Sequence, residues 1–314
     1  MPLNVTAPVK GAFLAASACV LVGGSFSANS LLVDYPYAGG QALRYGLAAL
    51  LLLPFLPRGL PRVPRGLSLR QWGRLAALAA VGMVGFNLAV LAAERSAEPA
   101  VPGVLVGCAP VVVAVLVPLL ARRRPHRALL TGALIVAAGA VVVQGWGRTD
   151  TAGLVFSVAA LAGECGFALL AVPVLPVLGP LRLTATVCAL AAVQSACLAL
   201  AFGGASALRA PNAVEAGALL WQAAVVTVVG FLCWYAGINR IGAERATLFS
   251  GLIPVSAAAT APFLGTGGYG AAQALGSLLV AVGVAVGARA PAPVTAPPVS
   301  PVSPVPSVSA VSSG

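Results

Sequence analysis

Apolar runs of about 20 residues alternate with short polar stretches along almost the whole chain. A run of this length is sufficient to cross the hydrocarbon core of a bilayer as an α-helix. The runs lack the alternation with a period of two that marks strands, so they predict helices. Ten can be distinguished, at roughly residues 11–33, 39–57, 73–93, 99–121, 128–146, 152–177, 182–203, 216–238, 244–265 and 269–289. The pattern therefore predicts an all-α integral membrane protein with ten transmembrane helices.

The second half of the chain repeats landmarks of the first half at a separation of 144 residues, the difference between Pro110 and Pro254. Prolines are rare inside apolar helices, so coincident prolines indicate an internal duplication. The coincident pairs are Pro110 with Pro254, Pro118 with Pro262, Gly132 with Gly276 and Gly139 with Gly283. Each copy would hold five helices, over 11–146 and 152–289, and an odd number inverts the second copy in the membrane. Two inverted five-helix repeats around a midplane site are typical of transporters.

Composition and charge support a membrane protein. Hydrophobic residues make up 60% of the chain and charged residues 8%, whereas soluble domains contain about 25% charged residues. The net charge of +11 is concentrated in alternate loops, which indicates topology and contact with lipid headgroups and argues against nucleic-acid binding. Fourteen basic residues would lie on one side: Lys10, Arg58, Arg62, Arg65, Arg70, Arg74, Arg122, Arg123, Arg124, Arg127, Arg182, Arg240, Arg245 and Arg289. The other side would hold three, Arg95, Arg148 and Arg209, so we expect a cell-membrane protein with both termini in the cytoplasm.

The two ends of the chain differ from the apolar segments. Lys10 followed by an apolar stretch resembles a signal peptide, but the stretch continues to Val33. An uncleaved first helix is therefore expected after a cytoplasmic segment, residues 1–10. The last 25 residues, 290–314, contain seven prolines and several serines, which predicts a disordered cytoplasmic tail.

Short motifs in both halves form a recognisable combination. They are Gly24-Ser25-Phe26, Asn87, the segment from Ser96 through Pro110 to Gly139, and the segment from Gly242 through Pro254 to Gly283. Together they resemble the drug/metabolite transporter superfamily, specifically its EamA type with two five-helix repeats, over residues 11 to 289. Members often carry a Gly-Glu pair at the ends of helices four and nine. This chain has Arg122-Arg123 and Thr266-Gly267 there, so no role of that glutamate transfers to it.

The resemblance implies a central cavity lined by helices one, three, four, six, eight and nine. On that basis the substrate-pathway candidates are Ser25, Asn87, Glu164, Trp234 and Tyr235. Polar side chains within spans also commonly form hydrogen bonds between helices or anchor the protein at the membrane interface. Each candidate therefore has a structural alternative.

Glu164 lies near the middle of the sixth predicted helix. A charge at that depth costs about 2.5–3.5 kcal/mol on the insertion scale, so the side chain should face protein or water. A carboxyl that gains and loses a proton would suit a proton-coupled carrier. The alternative is a structural ion pair with Arg44, which lies inside the second predicted helix.

The repeated prolines and glycines have separate interpretations. Pro110 and Pro254 each free the carbonyl four residues earlier, which predicts either a hinge facing the cavity or a kink that improves packing. Two glycine pairs, each on one helix face, are expected to pack helices closely rather than to bind a ligand. The pairs are Gly132 with Gly139 and Gly276 with Gly283.

These observations favour a secondary transporter that exports a small metabolite by alternating access. The resemblance makes an amino acid or related compound the expected cargo and proton exchange the expected driving force. A carrier of lipid or nucleotide-sugar type and a non-transporting membrane scaffold are the alternatives. An enzyme is disfavoured because HExxH, GxSxG and phosphate-loop motifs are absent and the chain has one histidine, His126. No metal or other cofactor is expected, the expected partners are a small-molecule substrate and membrane lipid, and homodimer formation is left open.

Overall fold

A computed structural model of the chain describes residues 6–25, 31–32, 34–57, 66–98, 100–145, 147–203, 207, 209–264 and 268–290. Several features named above lie outside these residues. They are residues 1–5, Phe26, Val33, Arg58, Arg62, Arg65, Thr266, Gly267 and the tail 291–314.

The first half of the chain contributes five helical stretches, α1–α5, among the described residues. Their bounds are α1 Thr6–Gly24, α2 Tyr37–Leu52, α3 Leu69–Ala93, α4 Ala100–Leu120 and α5 Arg127–Gln144. Two of them are irregular. A π-helical segment, Ala80–Gly85, interrupts α3, and α4 breaks at Cys108, two residues before Pro110.

The second half contributes five more stretches, α6–α10. Their bounds are α6 Thr151–Leu169, α7 Leu175–Gly203, α8 Ala213–Ile241, α9 Ala243–Phe263 and α10 Ala271–Ala288. The irregular positions match those of the first half. A π-helical segment, Gln222–Val229, interrupts α8, and a 3₁₀ turn, Thr247–Gly251, precedes Pro254 in α9.

Eight of these stretches, α3–α10, are long and apolar enough to cross a membrane. The apolar part of α1, Pro8–Gly24, is shorter, and α2 contains 16 residues. The described residues pair as extended chain only at an isolated bridge between Ala97 and Thr149. The all-helical membrane architecture thus agrees with the sequence prediction, while the count of ten spans stays a prediction.

Two predicted boundaries shift in the structure. The run expected over 11–33 overlaps α1, which begins at Thr6 and ends at Gly24, before a turn at Ser25. Residues 26–30 and 33 of that run lie outside the described residues. The run expected over 152–177 ends as α6 at Leu169, because the apolar residues that follow form a turn and the beginning of α7. The hydropathy of a run indicates whether it is long enough to cross the bilayer. It does not distinguish the end of one apolar helix from the beginning of the next.

Polar caps determine where several helices begin. Ser68 accepts a hydrogen bond from the backbone N–H of Gln71, whose side chain accepts one from the N–H of Ser68. Asn212 and Glu215 form the same reciprocal capping box at the beginning of α8. Asp150 caps α6 through one hydrogen bond. These side chains satisfy N–H groups that have no partner inside the helix and so hold the loops at the ends of the spans.

The helices pack in a pattern that recurs between the two halves. α1 packs on α8 and α9, and its counterpart α6 packs on α3 and α4. α2 packs on its counterpart α7, and α5 packs extensively on its counterpart α10. If α1 is exchanged with α6, α2 with α7, and so on to α5 with α10, each of these contacts is converted into another contact of the same set. α3 and α8 begin 144 residues apart, as do α5 and α10.

Glycines line the crossing of α5 and α10, which we call the glycine seam (Gly132, Gly139, Gly276 and Gly283). A Cβ added at Gly132 would lie 2.6 Å from the carbonyl oxygen of Gly283. One added at Gly139 would lie 2.8 Å from the carbonyl oxygen of Gly276. Later residues of α5 thus contact earlier residues of α10, so the two helices are antiparallel. Their backbones touch because no side chain separates them.

Both ends of the described chain lie on one face of the bundle, which we call the terminal face. Gly11, near the beginning of α1, lies against Ile241 at the end of α8. Glu244, just after α8, pairs with Arg123 in the α4–α5 loop. Ala290, just beyond α10, accepts a hydrogen bond from the first turn of α9. The opposite face carries the α3–α4, α5–α6 and α7–α8 loops.

Candidate functional site

Glu164 lies in the second half of α6 and forms no hydrogen bond or ion pair with any other described residue. It lies near Cys19 of α1 and Tyr235 of α8. Arg44, the alternative partner, donates from Nε to Thr227 Oγ1 at 2.8 Å instead. The structure thus brings a carboxyl group without a countercharge among the described residues to the place where α1, α6 and α8 meet.

Tyr235 and Trp234 are adjacent in α8 and almost completely buried, with 0% and 5% of their surfaces exposed. Tyr235 Oη and Trp234 Nε1 have no hydrogen-bond partner among the described residues. The ring of Tyr235 packs against Phe167 of α6 and Phe231 of α8, with ring centroids 5.3 and 6.3 Å apart. A buried polar group without a partner costs about 1–3 kcal/mol, so two neighbouring ones call for an explanation. A ligand that pairs with them would supply one.

The Asn87 side chain is fixed in α3 by two hydrogen bonds. Asn87 Nδ2 donates to Tyr45 Oη at 3.1 Å and to the carbonyl oxygen of Met83 at 2.7 Å. Tyr37 Oη donates to the carbonyl oxygen of Asn87 at 3.1 Å. Because both amide hydrogens are engaged, Oδ1 is the side-chain atom left to bind a ligand, and it can only accept.

Arg44 and Tyr45, which are consecutive residues of α2, each form a hydrogen bond to a helix that contains a π segment. Arg44 donates to Thr227 inside the π segment of α8, while Tyr45 accepts from Asn87 just after the π segment of α3. The Arg44 guanidinium also lies 5.3 Å from the centroid of the Tyr45 ring. π segments often occur at functional sites. Sequence reasoning missed both segments, because a hydrogen bond to the fifth residue leaves no distinctive hydrophobic pattern.

The remaining predicted residues lie apart from this group. Ser25 Oγ, at the end of α1, donates to the carbonyl oxygen of Val22 at 2.7 Å, which satisfies the hydroxyl locally. Pro110 follows the break in α4, and Pro254 follows the 3₁₀ turn in α9. Both helices therefore lose regular α-helical geometry just before the repeated proline.

A shallow, widely open hollow lies on the opposite face between the α3–α4 and α5–α6 loops. Its charged lining includes Glu94, Glu98, Arg148 and Asp150. Arg148 Nε donates to Glu98 Oε1 at 2.9 Å, and this hydrogen bond holds the pKa of the Glu98 carboxyl below its usual range. Sequence reasoning missed the hollow because loops distant in sequence build it. Among the described residues, no group of three His, Cys, Asp or Glu side chains could hold a metal ion.

Comparison with known proteins finds a similarity to one family over the first five helices. Residues 9–144 match the EamA-like transporter family. The uncharacterized transporter YetK of Bacillus subtilis (strain 168) is 25% identical over 259 residues, which cover 79% of this chain and 77% of YetK. The predicted resemblance is confirmed. The EamA-like match ends at residue 144, the last residue of α5, so it covers one complete set of five helices.

One solved structure, described only as the crystal structure of a protein, has the same fold, with a TM-score of 0.72 and 20% sequence identity. The alignment covers 88% of this chain and 96% of the other one. The likeness establishes the fold alone. The names of the EamA-like family and of YetK both describe transporters. The chain is therefore similar to a family of transporters, and its long apolar helices are those of a multi-pass membrane protein.

Proposed function

We propose that the chain is a secondary carrier of the cell membrane that exports a small metabolite, an amino acid or related compound, by proton-coupled alternating access. The EamA-like similarity supports the class of membrane transporter. The exchange of helix contacts between the two halves carries the proposed mechanism. Inverted repeats allow alternating access because each half can adopt the arrangement of the other around a central site.

The glycine seam supports ten spans in two inverted five-helix repeats. A shift of 144 residues carries Gly132 to Gly276 and Gly139 to Gly283. The contact of Gly132 with Gly283 is therefore exchanged with the contact of Gly139 with Gly276. Antiparallel helices whose contacts exchange in this way are related by a two-fold axis perpendicular to them. For helices that cross a bilayer this axis lies in the membrane plane, as in inverted repeats.

The cargo would bind where α3, α6 and α8 present polar groups that the protein leaves unpaired. Tyr235 Oη and Trp234 Nε1 can donate, and Asn87 Oδ1 can accept. Glu164 would bind the proton, because it lies beside the same helices and has no ion-pair partner among the described residues. A small molecule that carries both donors and acceptors, such as an amino acid, would complement this set. Ser25 would lie at the end of the pathway along α1.

The movement would bend α4 and α9 at Pro110 and Pro254, where both helices are already irregular. The glycine seam would remain closed and hold the peripheral helices together. The terminal face carries Arg123, Arg127 and Arg240 beside both ends of the described chain. By the positive-inside rule, that face would be cytoplasmic.

Flux into proteoliposomes tests this function. The purified chain, reconstituted in liposomes with an imposed pH gradient, should accumulate radiolabelled amino acids from a mixture, and empty liposomes should not. Glu164→Gln should abolish flux or remove its dependence on the pH gradient while expression stays normal. Glu164→Asp keeps a titratable carboxyl and should retain the pH dependence. Gly73→Ala, at a helical glycine with open space around it, should behave as the unmodified chain.

Each outcome bears on a separate part of the proposal. Flux of lipids or nucleotide sugars without flux of amino acids would show that the cargo belongs to one of those classes and is not an amino acid. An unchanged pH dependence in Glu164→Gln would remove its proton role. A complete lack of flux would favour a scaffold, and chemical conversion of the added compound would indicate an enzyme.

A further inference from the structure

Among the described residues, one ion pair joins the loops that end α4 and begin α9 on the terminal face. Arg123 Nη2 lies 2.7 Å from Glu244 Oε1. The Glu244 side chain is 9% exposed, whereas that of Arg123 is 44% exposed. A partly buried pair of this kind is screened less by solvent and salt than the exposed pairs of a protein surface. It therefore ties together two helices that are counterparts in the two halves.

Backbone geometry at both partners holds the pair in place. The N–H of Arg123 donates to the carbonyl oxygen of Pro118 at 2.8 Å, and that of Arg122 donates to Leu119 at 3.0 Å. This is the pattern that closes a helix through a left-handed residue, usually glycine. Arg122 occupies that position with a φ of 52°, a backbone conformation that is unfavourable for arginine and that orients the next residue, Arg123.

The turn that carries Glu244 is equally short. Gly242 alone separates α8 from α9, and its φ of 79° is one that glycine adopts without strain. Its N–H donates to the carbonyl oxygen of Ile238 at 2.8 Å. Glu244 is therefore the second residue of α9, fixed directly against the end of α4.

The pair has no equivalent in the other half of the chain. A shift of 144 residues places Ala100 at the position of Glu244 and Gly267 at the position of Arg123. Neither residue carries a charge. When the two halves exchange their arrangements, an equivalent ion pair therefore cannot form on the opposite face. Among the described residues, the opposite face has two ion pairs. Arg209 with Glu215 lies within the segment that begins α8, so it joins no two helices. Glu98 with Arg148 joins different loops and has an arginine side chain that is 95% exposed. Such exposed pairs contribute little.

We propose that the Arg123–Glu244 ion pair is a latch that holds the terminal face closed, so that the carrier rests with its opposite face open. The inference rests on the proposed function, because a latch has a role only in a protein that alternates. One further observation fits this resting state. Gly11 packs directly against Ile241 on the terminal face.

Hydrogen–deuterium exchange of the complete chain in lipid nanodiscs tests the latch without any cargo. Glu244→Gln should speed exchange about tenfold, a typical size for a coupling between two states, in peptides that cover 117–128 and 238–250. Arg123→Gln, made at the more exposed partner, should do the same with little risk to folding. The charge swap of Arg123→Glu with Glu244→Arg should restore slow exchange. Glu98→Gln is the matched control and should leave the terminal face unchanged.

Contrary results are equally specific. Unchanged exchange in both single variants would overturn the latch, and so would faster exchange on both faces, because that indicates general destabilisation. Failure of the swap to restore slow exchange would show that the charges do not act as a pair. An opened terminal face in a protein that carries no cargo would keep the latch and remove the proposed transport function. Normal flux together with unchanged exchange would keep the proposed transport function and remove the latch.

Discussion

Replacing Gly139 by alanine should destabilise the fold, because this residue lies at the glycine seam. The new Cβ would lie 2.8 Å from the carbonyl oxygen of Gly276 and from the N and Cγ2 atoms of Val280. Ordinary van der Waals contact begins at 3.4 Å, so the backbones must separate by about 0.6 Å. Added volume in a packed interior costs about 1–3 kcal/mol. Rotation of a side chain cannot relieve this contact, since two of the three opposing atoms are backbone.

Two glycines elsewhere in the chain provide matched controls. Gly73 in α3 and Gly217 in α8 are helical, and a Cβ added to either meets nothing within 4 Å. Alanine is preferred to glycine inside a helix by about 0.8–1.0 kcal/mol. Gly73→Ala and Gly217→Ala should therefore stabilise the protein, and the sign of the change separates packing at the seam from helix propensity.

Thermal unfolding of the purified protein, followed by intrinsic fluorescence, measures both effects. We expect Gly139→Ala to lower the unfolding temperature by about 2–10 °C and Gly73→Ala to raise it by about 2–4 °C. Gly139→Ala combined with Gly276→Ala should cost less than the sum, because the first substitution already separates the helices. An unfolding temperature for Gly139→Ala that equals or exceeds that of the unmodified protein would refute the reasoning.

Three further substitutions probe other contacts through the same unfolding temperature. Arg122→Gly should raise it by a few degrees, because a left-handed residue other than glycine costs about 1–2 kcal/mol; a decrease would contradict this. Thr227→Val should lower it by several degrees, since a hydrogen bond from the charged Arg44 is worth about 1.5–3 kcal/mol, and no change would show that Arg44 has another acceptor. Tyr45→Phe should cost about 0.5–1.5 kcal/mol by removing one acceptor of Asn87, and an increase in stability would argue against that bond.

The apolar helices could be predicted because each leaves a pattern that is local in sequence. Bilayer thickness fixes the length of an apolar run, and the coincident prolines Pro110 and Pro254 mark where α4 and α9 become irregular. The exact ends of α1 and α6 could not be predicted. Capping and turn geometry determine them, and hydropathy is nearly constant across those positions.

Candidate site residues could be chosen only by type. Glu164, Trp234 and Tyr235 stand out because polar groups are costly within a span. Their surroundings were not predictable, since they depend on which helices become neighbours. The hydrogen bond from Arg44 to Thr227 joins residues that are 183 positions apart, and no regular spacing in the sequence indicates such a contact. The pairing of Arg123 was missed for the same reason, because its cluster was interpreted as a signal of topology alone.

The two halves agree where backbones touch and differ where polar groups lie. The seam glycines and the prolines coincide under the shift of 144 residues, but the polar candidates do not. Asn87 corresponds to Phe231, Glu164 to Val20, Trp234 to Val90 and Tyr235 to Leu91. In the proposed inverted repeat, packing would have to satisfy both copies, since each contact at the two-fold axis would involve a position and its exchanged counterpart. A cargo that lacks two-fold symmetry needs its polar partners only once. A symmetric scaffold around an asymmetric set of polar residues is therefore what a carrier for a single small molecule requires.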